Sequence, residues 1–302
     1  MNAMSQQGHE MASLVRPSSK RVGATDTAAE PATSGRAATA PGPQSVLWDA
    51  PNGVLDPAAD GADAVVHLAG ASIAEGRWTK ARKSVLRESR VAATRHLVAA
   101  LGKLSRPPRI FIAASAIGYY GDRGDEELTE SSAAGTGFLA QLTRDWETES
   151  ARASAFGARV VILRFGIILA KDGGALPSMV FPFRMGIGGR IGSGRQWISW
   201  ITLADVAQII RFAIGTDGFS GPANVVAPQP VRNAEFTTQL GRTLHRPALL
   251  PTPGFVLRLA LGEMADSLLL AGQRVLPSKL QQMGYTFLHP ELQPALAAVL
   301  RK

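Results

Sequence analysis

With 302 residues, 45% of them hydrophobic and 19% charged, the chain has enough apolar material for one large α/β domain or two smaller ones. It contains no cysteine, which excludes disulfides, thiolate metal sites and a cysteine nucleophile, and suits a reducing, cytoplasmic setting. The net charge of +8 suits a phosphate-rich cofactor as well as nucleic acid, and no apolar run reaches the roughly 18 uncharged residues that cross a bilayer, so no membrane partner is expected.

Residues 17 to 45 are rich in Ala, Thr, Ser, Pro and Gly and poor in large apolar side chains, so residues 1–45 are expected to be a disordered or remnant segment. From residue 46 the pattern alternates. Val46-Leu47-Trp48-Asp49 predicts a short strand, and the apolar run Ala64-Val65-Val66-His67-Leu68-Ala69-Gly70, ending in glycine, reads as a buried parallel strand. Val91, Thr94, Val98 and Leu101 fall at helical spacing and predict a helix over 79–102. A buried strand over 109–115, a helix over 138–156 and a β-branched strand over 159–164 follow. This order predicts a parallel sheet with covering helices in residues 46–166. Residues 173–194, rich in glycine and containing Pro177 and Pro182, read as loop with one short helix. Beyond them come a strand over 197–201, a helix over 203–214, a strand near 223–226, a helix over 234–244 and helical segments after Thr252. Residues 167–302 are therefore expected to form a small mixed lobe that shares some strands with the sheet.

Several stretches have the residue types for chemistry. In Ile112-Ala113-Ala114-Ser115-Ala116-Ile117-Gly118-Tyr119-Tyr120-Gly121 a hydroxyl at a strand end, followed by two phenols, is suited to a substrate carbonyl or alcohol; a strand cap under packed tyrosines is the competing reading. Alanine and glycine at Ala69-Gly70, after Leu68, let a flat ligand approach the backbone, or simply end a buried strand. Arg164, Arg184 and Arg195 stand among glycines, where a guanidinium fork matches pyrophosphate or carboxylate, or a solvated basic loop. Thr202-Leu203-Ala204-Asp205 predicts a helix cap. The basic run Arg77, Lys80, Arg82, Lys83, Arg87, Arg90 and Arg95 has only Trp78 nearby for stacking, so it reads as a solvated helix face and no nucleic-acid partner is expected. The five histidines show no pair at metal-ligand spacing, and no metal site is expected.

Asp63–Gly70, Gly76-Arg77-Trp78-Thr79, Glu88-Ser89-Arg90, Ser115–Gly121, Asp145-Trp146-Glu147, Leu163–Leu176, Pro182–Trp200, Val275-Leu276-Pro277 and Gly284-Tyr285 together resemble a known group. It is the extended short-chain dehydrogenases of the NAD(P)-dependent epimerase/dehydratase type, with a small C-terminal domain of unknown function, and the resemblance covers roughly residues 46 to 300. It implies an α/β fold with a Rossmann-like parallel sheet that binds NADP or NAD. A small mixed C-terminal lobe would close over a small-molecule substrate, in a monomer or homodimer. On that resemblance Leu68, Ala69 and Gly70 border the adenosine and phosphates, with Arg90 beside them. Ser115 lies by the nicotinamide, Arg164, Phe165 and Gly166 near the cofactor's far end, and Arg195 and Trp197 toward the substrate. The stretch from Gly8 to Arg16 resembles the second strand of such proteins, which puts Arg16 by the 2′-phosphate of NADP.

Two departures qualify the resemblance. Residues 1–45 supply no strand, glycine-rich turn and helix, so that unit is expected to be absent and residues 9–16 to pair in the first strand's place. The Tyr-x-x-x-Lys acid/base pair is also missing, with Phe138 and Leu142 around its place. Tyr119, followed four residues later by Arg123, is the nearest substitute. Tyr119 is accordingly expected as acid/base with Ser115 as its orienting partner, and a non-catalytic scaffold is the alternative.

Overall fold

Four strands form the centre of the molecule, in the order Gly221–Val225, Arg159–Phe165, Ile110–Ala116, Ala64–His67, all parallel. The computed structural model that shows them describes residues 10–15 and 44–301. Arg16 and most of the segment set apart by its composition lie outside the described residues.

The central strands are apolar on both faces because helices cover both. Phe111 and Ala113 face Leu97, Val98 and Leu101 of the helix Ala93–Leu101. Ile112, Val161, Leu163 and Ala223 face Val206 and Ile209 of the helix Leu203–Gly215. The helix over 79–102 is not uniform. Lys80–Arg87 and Ala93–Leu101 are joined by a π-helical turn at Glu88–Ala92, which turns Ser89 and Arg90 toward the end of the Ala64–His67 strand.

A second sheet holds Ala12–Val15 parallel to Gln44–Asp49, with Val54–Leu55 antiparallel on the other side. The expectation that residues 9–16 pair in the first strand's place is thereby corrected: Ala12–Val15 runs along Gln44–Leu47, not along Ala64–His67. The physical reason is Trp48. Its buried indole joins Leu97, Val98 and Leu101, so Gln44–Asp49 is anchored on that helix and offers its edge to Ala12–Val15. The strand also starts at Gln44, inside the segment expected to be disordered. Among the described residues the outer edge of Ala64–His67 carries no strand.

The second half contributes the sheet's fourth strand and the lobe. The lobe core joins Leu176, Val180 and Phe183 of the helix Leu176–Arg184 to Trp200, Phe236, Leu240 and Leu296. Thr202 caps Leu203–Gly215 as its spacing predicts, its Oγ1 accepting from Asp205 N at 3.1 Å. The fully buried Asp205 carboxylate then accepts from Leu288 N at 2.7 Å and His289 N at 3.2 Å, fastening the carboxyl-terminal chain to that helix.

Candidate functional site

Parallel strands present their carboxyl ends on one side of a sheet, where ligands bind in such folds. At those ends Ser115 stands in register opposite Arg164 on the neighbouring strand. The helix Phe138–Ala151 crosses above and lowers Glu147 between them. Ser115 Oγ donates to Glu147 Oε1 at 2.6 Å, and Arg164 donates to both carboxylate oxygens at 2.8 Å. Burial works against the Arg164 charge, but the hydrogen bonds and charge of Glu147 hold it protonated above its ordinary range.

The same guanidinium organises both tyrosines. Its third donor goes to Tyr120 Oη at 3.0 Å, and that hydroxyl donates to Asn224 Oδ1 at 2.7 Å. Tyr120 is fully buried, and burial pushes its phenol pKa up despite Arg164. The Tyr119 ring also packs on the guanidinium, its centre 3.5 Å from Cζ, and meets the Tyr120 ring edge-on at 5.2 Å. Its hydroxyl makes no hydrogen bond among the described residues. The pairing of Tyr119 with Arg123 is a correction. A side chain four residues on stands beside its partner only in a helix, and here the 3-10 turn Ile117–Tyr120 ends at Gly121 with φ 66°. Arg123 gives its donors to Glu126 instead, at 2.6 and 2.8 Å. Phe138 lies against Trp78 and Leu142 is buried with them, so this corner is apolar.

A second group forms past the Ala64–His67 strand. Leu68 is half exposed, and Ala69 and Gly70 are exposed beside it. Arg90 lies across Gly70 so closely that a Cβ there would stand 3.1 Å from its Cζ. Arg90 donates to Ala71 O at 3.0 Å, while Ser89 Oγ accepts from Ala71 N at 3.1 Å. Burial, then the charge of Arg82, lowers the pKa of Arg90.

A third group lies on the lobe. Trp197 donates its indole N–H to Asp125 Oδ1 at 2.9 Å and carries Arg232 4.0 Å over its ring. Asp125 is held below the usual carboxylate range by the Trp197 bond, then by Arg232. Arg195 is exposed on the same loop, as Arg184 is at its helix end. Gly166 is small for a reason other than ligand approach: a Cβ there would lie 2.5 Å from Ser199 O. Among the described residues no three His, Asp or Glu side chains converge as a metal site would need.

The structure thus gathers Ser115, Tyr119 and Arg164 into one cluster, and Leu68, Ala69, Gly70 and Arg90 into another. Sequence reasoning named Tyr120 as one of two phenols and Glu147 within Asp145-Trp146-Glu147 without giving either this role, and it passed over Asn224. The available signal was polarity in apolar surroundings, as in Ala223-Asn224-Val225 on a buried strand.

The model of the NAD dependent epimerase/dehydratase family matches residues 3–226. The chain belongs to that family. A domain of unknown function (DUF1731) matches residues 252–299. An epimerase family protein of Mycobacterium bovis is 46% identical over 84% of this chain and 84% of its own length. The crystal structure of the human epimerase family protein SDR39U1 with NADPH superposes with a TM-score of 0.83 at 31% identity, covering 99% of this chain and 93% of that one. A UDP-glucuronic acid 4-epimerase from Bacillus cereus in complex with NAD superposes over 84% of this chain and 78% of that one, with a TM-score of 0.67. At 16% identity it shows the α/β fold alone.

Proposed function

We propose that this epimerase/dehydratase family chain is an NADP(H)-dependent oxidoreductase or epimerase. Its substrate is a small polar molecule held between the strand ends and the lobe, in a reducing cytoplasmic setting. The observation that carries this reading is the free phenol of Tyr119, fixed on the Arg164 guanidinium beside Ser115 at the carboxyl ends of two central strands. The described residues fit a nucleotide. Leu68 offers an exposed apolar surface at a strand end, and the side chain nearest the open side of Gly70 is the Arg90 cation, which phosphate would neutralise. The NADPH in the human relative supports the cofactor choice. Arg16, by the resemblance, favours NADP over NAD.

When bound, the cofactor supplies a hydride acceptor or donor. The chain's own part is binding and proton handling. Tyr119 delivers a proton to a substrate oxygen or removes one from it. Ser115 has given its hydrogen to Glu147, so toward a ligand it presents lone pairs and accepts from an alcohol or amide. It does not donate to a carbonyl. The apolar corner at Phe138 and Leu142 favours a second reading, a fold that binds nucleotide without turnover.

Fluorescence titration of the purified chain with NADPH and NADH tests the first step. Saturable binding in roughly the micromolar range, tighter for NADPH, is expected. A folded protein that binds neither would end the proposal. Once a substrate is found, Tyr119→Phe is expected to lower turnover by about 100-fold or more with NADPH affinity kept. Unchanged turnover would remove Tyr119 from its role.

A further inference from the structure

The lobe carries a surface that the Ser115 cluster does not use. Two segments run side by side there, with Leu250 N donating to Gly188 O at 3.2 Å and Thr252 N to Arg190 O at 2.9 Å. Ile187 on one and Leu249 and Leu250 on the other therefore share an edge. Directly after them comes the helix Gly254–Leu261, none of whose residues is buried. Exposure reaches 80% at Leu249, 79% at Leu259, 69% at Phe255, 57% at Ile187 and 54% at Leu250. A two-turn helix is too short to hold in water by propensity alone. Clustered apolar exposure of this kind marks a contact surface.

The charge around this face is mainly positive, with Glu235 and Glu263 standing just before and just after its second segment. Residues 181–204 and 236–262 contain six arginines and no aspartate or glutamate. Arg258 is held by Asp266 at 2.8 Å. Among the described residues Arg190, Arg242 and Arg246 have no carboxylate partner. They line two adjoining cavities of about 300 and 630 Å³ that share Leu249 in their walls. Leu249 thus stands exposed among three uncompensated guanidinium groups.

The cover must accept apolar side chains and supply anions at the same edge. A second copy would bring arginine against arginine on chains of net charge +8. A nucleic acid backbone would supply the anions but leave Leu249, Phe255 and Leu259 without an apolar partner. We propose that this face seats on an anionic phospholipid membrane surface. Leu249, Phe255 and Leu259 enter the boundary of the acyl chains, and Arg190, Arg242 and Arg246 meet the headgroup phosphates. The chain lies on the bilayer rather than crossing it: among the described residues no helix is long and apolar enough to span. The proposal is independent of the cofactor.

Co-sedimentation of the full chain with vesicles tests it, using phosphatidylcholine with and without phosphatidylglycerol. The wild type is expected to sediment with phosphatidylglycerol vesicles at low salt, to be released as salt screens the charges, and to stay in solution with phosphatidylcholine alone. Replacing Arg190, Arg242 and Arg246 by serine is expected to weaken binding by roughly fivefold per residue. Leu249→Ser with Phe255→Ser and Leu259→Ser is expected to weaken it at least about tenfold at the same salt. Leu259→Ser alone provides a milder variant, and unchanged thermal midpoints establish that all of them fold. The proposal is overturned if the wild type ignores phosphatidylglycerol vesicles. It is equally overturned if either set of variants binds as the wild type does, since bulk charge would then be the cause. Light scattering that shows a dimer broken by the apolar substitutions would assign the face to a second copy instead.

Discussion

Glu147 accepts one hydrogen bond from Ser115 and two from Arg164, and with them it governs the protons of the site. Arg164 is only 3% exposed, so removing its carboxylate partner strands a buried charge. Glu147→Ala is expected to lower stability by about 3 kcal/mol, whereas Ser115→Ala, losing one hydrogen bond, should cost only about 1 kcal/mol. Urea midpoints of the two variants check this, and equal losses would mean that the pair is not what holds the cluster. His67 supplies a pH dependence at the same scale. Burial lowers its pKa from 6.5 to about 4. Its Nε2 lies 3.0 Å from Thr94 Oγ1, which already accepts from the Trp146 indole, an arrangement that suits a neutral ring. Between pH 6.5 and about 4 the unfolded chain takes up a proton that the folded chain refuses. Stability should therefore fall by roughly 3 kcal/mol as pH drops through that window. His67→Gln should flatten that part of the stability–pH curve if the histidine is its source.

Elements meet through contacts that tolerate little change. The π-helical turn at Glu88–Ala92 brings both Ser89 and Arg90 to Ala71, which a regular helix would not do. Gly166 joins the central sheet to the lobe by close approach to Ser199 and Val226. Gly166→Ala would push a methyl into backbone and should destabilise by about 1–3 kcal/mol, read from the thermal midpoint. The Asp205 clamp fastens the carboxyl-terminal chain to Leu203–Gly215. Tyr285 also reaches its Oδ1 at 3.3 Å, and burial, with the Asp205 charge, pushes that phenol above its ordinary range. Asp205→Ala is expected to abolish the slow hydrogen exchange of the Leu288 and His289 amides while protection in the central strands persists. Retained protection at those two amides would assign the fastening to apolar packing instead.

At the scale of the whole molecule, two sheets share one helix, and the lobe rests on the carboxyl ends of the larger sheet. The order of strands and helices from residue 46 was legible from apolar runs and helical spacing, because buried parallel strands and amphipathic helices write their burial directly into composition. The strand ends at Leu68–Gly70 and Ser115, and the Thr202 cap, were legible for the same local reason. Other features depend on neighbours distant in sequence. Arg164 finds Glu147 because a helix crosses a strand end, and Ser115 becomes an acceptor only through that meeting. Arg123 leaves Tyr119 for Glu126 because a turn intervenes, and Ala12–Val15 pairs where Trp48 anchors its neighbour. The exposed arginines and leucines of the lobe were visible as residue types but not as one face. The sequence by itself determined which segments are strands and helices, since periodicity and burial are local to a segment. Only the tertiary structure decided which charges are compensated, which hydroxyl is left free to donate and which apolar side chains remain outside. Those outcomes depend on distances of a few ångströms between residues that the chain brings together only when folded.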